Sequence, residues 1–234
     1  PVVVTISLSF GVGSMAKKNT VVRTPTSVET IGNISVICSD KTGTLTQNKM
    51  SVQKIWAAKN EVLDSESAFG EAENKLLTLF LLSGSAAMTS DSNVGNPTEL
   101  AIARLAKEKL TEEPKEMKNY RKIHEIPFDS TRKLMTVVYE TENGWLSVTK
   151  GAIDRIQMIP DDDLQGKILS VHDRFASQAL RVIGVAYKKF DTTPELTPET
   201  LESDLTFGGL AGIIDPPREE SARAVQIAKE AGIK

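Results

Sequence analysis

The sequence predicts an α/β protein in which a parallel-sheet domain is interrupted by a second, mixed domain. Three features of the chain lead there. Residues 34–38, ISVIC, are a short unbroken apolar run rich in β-branched residues, the pattern of a strand covered on both faces, and Asp40 follows it. Residues 205–215, LTFGGLAGIID, repeat the pattern and again end in an aspartate, Asp215. Between them, residues 51–204 read as hairpins and amphipathic helices, an α+β arrangement with an antiparallel sheet.

The bulk numbers narrow the class of function. With 234 residues, 40% of them hydrophobic, the chain can bury one large core or two ordinary ones. A net charge of −3 excludes a general nucleic-acid binder, which would be basic. The single cysteine, Cys38, excludes an internal disulfide, and its place just before Asp40 suggests a buried thiol. His124 and His172 stand far apart without metal-ligand spacing and read as ordinary residues.

Taken in order, residues 1–16, PVVVTISLSFGVGSMA, carry no charge and are followed by Lys17 and Lys18. They are too few to span a bilayer, which takes about 20 apolar residues. They have no initiator Met or basic leader, so they are not a normal signal peptide. A buried strand and the clipped end of a membrane helix both fit. GVGSMA, with Glu29 eighteen residues beyond Gly11, imitates a dinucleotide-binding turn. The proline-bearing KKNTVVRTPTSVET that follows is not the helix such a turn needs. VETIGN suggests a short helix with Ser27 as cap.

Beyond Met50, SVQKIWAA reads as a strand that EVLD can pair with. Residues 71–89 read as a mostly apolar buried helix. Residues 96–110, NPTELAIARLAKEKL, form a strong helix signal: Asn96 as cap, Pro97 in the first turn and Glu99 at the capping-box position. YRKIHEIPF, KLMTVVYE and GWLSVTK are strands joined at DSTR and TENG, both plausible hairpin turns. Residues 164–180 are an amphipathic helix, RVIGVAYKKF is a strand, and the acidic, proline-bearing 191–204 reads as a loop or linker. The last stretch, PPREESARAVQIAKEAGIK, is an amphipathic helix with prolines at its mouth.

An aspartate ending a parallel strand points into the crevice where such sheets bind ligands. After Asp40 come Lys41 and the small, hydroxyl-rich TGTLT, whose backbone N–H groups can cradle an anion. A carboxylate poised there can attack phosphorus to give an aspartyl phosphate, and the meeting of two anions calls for a metal, Mg²⁺ being the usual partner of phosphate. An Asp that merely caps a turn is the plainer reading of SD alone, but not of the whole DKTGTLT run.

CSDKTGTLTQNKM resembles the phosphorylation motif of P-type cation-transporting ATPases, members of the haloacid dehalogenase-like superfamily. Further segments resemble the family's in the same order: NPTELAI its D-P-T-E segment, PFDSTRKLM its P-F-x-S-x-R-K segment, TKGAIDRI its K-G-A motif, ALRVIGVAY its arginine-bearing strand and DPPREE its D-P-P-R hinge. PVVVTISLSFGVGSMAKKN resembles the cytoplasmic half of the fourth membrane helix with its stalk, which favours the clipped helix for residues 1–16.

The resemblance covers essentially the whole chain. It implies the end of a membrane helix and stalk over 1–26, an incomplete haloacid dehalogenase-like phosphorylation domain over 27–50 and 205–234, and a nucleotide-binding domain over 51–204. It also implies roles for individual residues. Asp40 would be the phosphorylated nucleophile and a Mg²⁺ ligand, Thr42 would offer its carbonyl to the metal, and Lys41 and Thr44 would face the γ-phosphate of ATP. Phe128 would stack on adenine, although by itself it reads as a core aromatic. Glu99 would hydrogen-bond near the adenine amino group, with the capping box as its simpler role. Lys150 would line the adenine pocket, with Gly151 letting backbone approach. Arg132 and Arg181 would contact phosphates, where solvated surface charge is the plainer reading; Ser130 and Lys133 are lesser candidates. Asp215 and Arg218 would sit at the hinge, Arg218 helping to hold nucleotide.

Many phosphatases of this superfamily carry a second acid two positions after the nucleophile. Here that position is Thr42, which should slow attack of water on the acyl phosphate, as suits a pump that changes shape while phosphorylated. The competing readings are a soluble phosphatase or phosphotransferase with a large cap, and a nucleotide-binding regulatory module without catalysis. The type II group, calcium and sodium–potassium pumps, is the nearest resemblance: NPTE leans to calcium, while TQN also occurs in the sodium branch.

The family's T-G-D, G-D-G-x-N-D, P-E-G-L and T-G-E motifs do not occur in the chain. The expected molecule is therefore a catalytic fragment at the cytoplasmic face of a membrane. Its partners would be adenine nucleotide and the rest of the same pump, the actuator domain and membrane helices, with the transported cation bound elsewhere. It would bind nucleotide weakly without hydrolysing it, and its phosphorylation half would be poorly ordered without its sheet partners.

Overall fold

The structure, a computed structural model, describes residues 2–58, 61–84, 96–110, 114–159 and 161–234. In chain order its elements are α1 (Val2–Ala16), α2 (Ser27–Gly32), β1 (Ser51–Ala57), β2 (Leu63–Asp64), α3 (Glu71–Leu82), α4 (Pro97–Lys109), α5 (Lys115–Lys118), β3 (Arg121–Ile126), β4 (Leu134–Thr141), β5 (Gly144–Gly151), α6 (Asp162–Ser177), β6 (Arg181–Phe190), α7 (Pro198–Leu201), β7 (Thr206–Ile214) and α8 (Glu219–Glu230). They form two compact units, residues 48–216 and residues 1–47 with 217–234.

The larger unit is built on a seven-stranded sheet in the order β2-β1-β7-β6-β5-β4-β3, every neighbouring pair antiparallel. The hairpins read from DSTR and TENG are both present, as β3–β4 and β4–β5. Along β5 the side chains alternate. Leu146 and Val148 join the core under α3 and α4, while Ser147 and Thr149 are fully buried on the other face. That second face carries Trp56, Phe207 and Leu210 against Ile168 and Phe175 of α6.

Residues 191–204 are more than the solvated linker their composition suggests. Their one-turn helix α7 places Leu201 and Glu202 in the interior, and Leu205 follows with no exposure. The segment covers the hydroxyl row of β4 and β5. Thr136 Oγ1 donates to Glu202 Oε1 at 2.7 Å, and Ser147 Oγ donates to the Leu201 carbonyl at 3.4 Å. Acid and proline mark the segment as non-repetitive, but its leucines bury it.

β7 also departs from expectation. The sequence assigns it to the parallel-sheet domain, with the boundary at 204/205; in the structure it lies inside the antiparallel sheet, between β1 and β6, and the unit boundary falls after Pro216. An apolar run covered on both faces is equally at home in the centre of an antiparallel sheet sandwiched by helices. Its glycines make the fit: a Cβ on Gly212 would lie 2.8 Å from Leu180 and 2.9 Å from Phe175. The helix read over 71–89 ends at Leu82, and residues 85–89 lie outside the described residues.

The smaller unit has almost no interior: among its described residues only Thr46 is buried. Residues 2–16 are helical, so the strand reading fails, and GVGSMA lies inside α1 rather than at a strand-to-helix turn, which removes the dinucleotide-fold resemblance. No helix among the described residues is long and apolar enough to cross a membrane. Thr26, not Ser27, stands at the N-cap of α2. The covered strand expected at 34–38 is not formed. Val36 and Ile37 are half exposed, and Cys38 is an exposed thiol rather than a buried one. A strand in the interior of a parallel sheet has a partner on each side. Here its pairing is one rung, Ile37 N–H to the Lys234 carbonyl (2.8 Å) and Lys234 N–H to the Ser35 carbonyl (2.9 Å), the two-bond signature of a parallel bridge.

Candidate functional site

The register of the larger sheet gathers most of the candidate residues at one end. Leu134, the first residue of β4, pairs with Gly151, the last of β5; Gly151 pairs with Gly184 near the start of β6; Arg181 pairs with Ile213 near the end of β7. The loop from β3 to β4, which carries Phe128, Ser130, Arg132 and Lys133, leaves from the same end. So does Asp215, whose Oδ1 accepts the Lys49 N–H at 3.0 Å, joining the exit of β7 to the entry of β1.

The N-terminus of α4 completes this end. Asn96 caps it, its side chain accepting the Thr98 N–H at 3.0 Å, and Pro97 occupies the first turn. Glu99 in that first turn pairs with Lys150: Nζ to Oε1 is 2.5 Å, with side chains only 12% and 10% exposed. Burial pulls the Lys150 ammonium below the ordinary lysine range, while the hydrogen bond and charge of Glu99, and more weakly Glu125, hold it up. Arg181 Nη1 lies 3.5 Å from Thr98 Oγ1. Gly84 roofs the ion pair, since a Cβ there would come within 2.9 Å of Lys150 Nζ and 3.3 Å of Glu99 Cδ.

Gly151 has φ +157°, and a Cβ on it would stand 2.1 Å from the Lys133 carbonyl, so the turn into β4 can close only over a glycine. In the β3–β4 loop, Asp129 Oδ1 accepts the N–H groups of Thr131 (2.9 Å) and Arg132 (2.7 Å), and Lys133 takes a left-handed φ of +58°. Phe128 is 62% exposed, which rules out the core-aromatic reading. Ser130 and Lys133 are exposed as well. Arg132 is no solvated surface arginine. Its Nη2 donates to the carbonyls of Pro127 (2.8 Å) and Leu134 (3.0 Å), and its Nε lies 3.0 Å from Glu202 Oε2.

The smaller unit holds the other group of candidates. Asp40 is exposed, in extended backbone, and its Oδ1 accepts the Lys41 N–H at 2.7 Å. Lys41–Leu45 form one wide turn in which Thr42 is extended and Gly43 has φ +78°. Thr46 closes the turn, its N–H donating to the Lys41 carbonyl at 3.1 Å and its Oγ1 accepting the Gly43 N–H at 3.2 Å. Arg218 holds it from outside: Nη2 to the Gly43 carbonyl and Nε to the Thr46 carbonyl, both 3.1 Å, and its N–H to the Leu45 carbonyl at 2.9 Å. Ser221 Oγ adds a 2.8 Å bond to the same Leu45 carbonyl. Lys41, Thr42 and Thr44 are exposed on this loop.

Sequence reasoning missed Gly84, Thr98 and Glu202. The first had a signal: a glycine just past an apolar run is a helix stop. The second lies in the NPTE segment, between the two residues singled out. The third is an acid between Leu201 and Ser203 in an acidic stretch, and nothing in the chain marks it as buried.

A family model described as "P-type ATPase, cytoplasmic domain N" matches residues 73–220. The chain is 37% identical to the calcium-transporting ATPase of Bacillus subtilis (strain 168), with all of this chain covered but 30% of that protein. It is 34% identical to calcium-transporting ATPase 1 of Bacillus cereus (strain ATCC 10987 / NRS 248) and 34% identical to calcium-transporting ATPase 1 of Saccharomyces cerevisiae, covering 28% of each. The chain thus spans less than a third of the length of these curated relatives.

Proposed function

The chain belongs to the P-type ATPase family, and we propose that it is the nucleotide-binding part and a piece of the phosphorylation part of an ATP-driven cation pump, with calcium as the cargo. The observation that carries the nucleotide reading is the assembly at one sheet end: the loop that carries the exposed Phe128 ring, and the Glu99–Lys150 pair and Arg181 at the capped start of α4. A flat apolar ring in water and a nearby buried donor–acceptor pair suit a heterocycle with a polar edge. Arg181 and the α4 N-terminus supply positive potential for the phosphates. The names of the relatives favour calcium.

Asp40 is the proposed nucleophile. Its free carboxylate oxygen attacks the γ-phosphorus of ATP in line, the bond to the β–γ bridging oxygen breaks, and ADP leaves with those electrons. The donor set suits Mg²⁺: the Asp40 carboxylate and the Thr42 carbonyl are hard oxygens on one exposed turn, leaving positions for water and phosphate. When bound, the metal would neutralise charge between carboxylate and triphosphate. Lys41 and Thr44 share that turn and are proposed to face the γ-phosphate. Arg218, proposed to help hold nucleotide, also holds the carbonyls of Gly43 and Thr46 and so the shape of the turn. Thr42, in place of a second acid, favours a long-lived acyl phosphate and hence a pump over a phosphatase. In the intact transporter, Asp40→Asn should abolish the acid-stable, hydroxylamine-sensitive adduct formed with ATP; persistence of that adduct would refute the assignment.

A further inference from the structure

We infer that Glu202, a buried acid on the sheet face away from α3 and α4, is a positioning residue for adenine recognition, acting through Arg132 to fix the loop that aims Phe128. The inference rests on the adenine reading of Phe128 given above. Glu202 is 6% exposed. Its Oε1 accepts from Thr136 Oγ1 at 2.7 Å, and its Oε2 lies 3.0 Å from the buried Arg132 Nε, an ion-pair contact without hydrogen-bond alignment. Thr136 is braced in turn by Thr149, 2.9 Å away on the neighbouring strand. The acid is therefore anchored to two central strands, and a buried carboxylate of this kind demands a cation in contact.

The cation is the one that ties the loop together. Arg132 Nη2 donates to the carbonyls of Pro127 and Leu134, the residue before Phe128 and the first residue of β4. One guanidinium nitrogen thus ties both feet of the loop while Nε, on the other side of the same rigid plane, faces Glu202, a spread of donors that a single ammonium does not have. Phe128 itself is 62% exposed, so its direction depends on the loop backbone more than on packing of its ring. Without the carboxylate, the guanidinium is free to swing toward water, and the Pro127 carbonyl loses its fixed donor.

The test uses the 234-residue chain carrying a fluorinated phenylalanine at position 128, titrated with ATP and followed by NMR, in wild type, Glu202→Gln, Phe128→Ala (unlabelled) and the double variant. Glu202→Gln should broaden or shift the Phe128 fluorine signal in the free protein and weaken ATP by roughly fivefold to tenfold, within the range of one base–aromatic stack. The double variant should bind no more weakly than Phe128→Ala alone, because the acid acts only through the ring. Additive losses in the double variant, or an unmoved fluorine signal in Glu202→Gln, would overturn the inference. Should Glu202→Gln not fold, Glu202→Asp, which keeps the charge but shortens its reach to Arg132, carries the test with the same expected pattern. If Phe128→Ala leaves ATP affinity unchanged, the adenine reading fails, and the fluorine signal alone then decides whether Glu202 orders the loop.

Discussion

The two units place their candidate residues on opposite kinds of foundation. In residues 48–216 Glu99 of α4 pairs with Lys150 of β5, Arg132 faces the buried Glu202 beyond α7, and Gly151 pairs with Leu134 of β4, over three hydrophobic clusters. In the smaller unit the Asp40 turn is held almost wholly by hydrogen bonds to backbone carbonyls, with Arg218 and Ser221 reaching it from a segment about 170 residues later. Val36, Ile37, Val225 and Ile227 of that unit are 43–56% exposed. The residues proposed to recognise nucleotide are held by their own sheet, whereas the turn proposed to meet the phosphate is shaped locally and borrows little stability from a core.

The difference can be broken most forcefully by truncation. Leu76→Ala, at a site 1% exposed beneath the sheet, should cost roughly 2–5 kcal/mol in urea unfolding, whereas Val225→Ala on α8 should stay within about 0.5 kcal/mol. Equal losses would mean the smaller unit has an interior after all.

Next in size is the buried pair. Glu99→Gln should cost about 3 kcal/mol at neutral pH because it strands the Lys150 charge, against less than about 1 kcal/mol for Lys54→Ala in the exposed pair with Asp64. The pH course gives a second reading. Lys150 titrates below its unfolded value, so the folded state holds fewer protons, and stability from this group rises with pH through the window between the lowered value and 10.5. In Glu99→Gln the lysine loses its chief support. The gain should begin at lower pH, which chemical denaturation at a series of pH values would register.

Much of this architecture was legible in the chain. Alternation and turn residues located β3, β4 and β5, and Asn96-Pro97 located α4, because those signals are local. The position of β7 was not, since an unbroken apolar run fits any central strand, parallel or antiparallel, and only the completed register decides. Phe128, Lys150, Gly151 and Glu99 stand out as candidates from their motifs alone. That Lys150 is paired with Glu99, and Arg132 with Glu202, depends on contacts across 51 and 70 residues that no local pattern encodes.

Smaller effects sharpen the comparison. Burial, then Glu125, lifts the Tyr139 phenol from 10.0 to about 12, so the folded state keeps a proton the unfolded chain loses. That contribution is present below pH 10 and is lost as the pH climbs to about 12. Tyr139→Phe should remove that alkaline decline, at a cost near neutrality of about 1–3 kcal/mol for the Leu82 carbonyl left without its 2.8 Å donor. Arg218→Ala should speed amide exchange at Gly43 and Thr46 while leaving the urea midpoint of the larger unit within about 0.5 kcal/mol of wild type.

The most direct test of the central claim, that the end of the antiparallel sheet is the nucleotide site, is an ATP titration of the 234-residue chain followed residue by residue by NMR. The predicted result is saturable shifts at Glu99, Phe128, Lys150, Gly151 and Arg181, with α8 unmoved. Saturable shifts that bypass these residues, or no response at millimolar ATP, would contradict it.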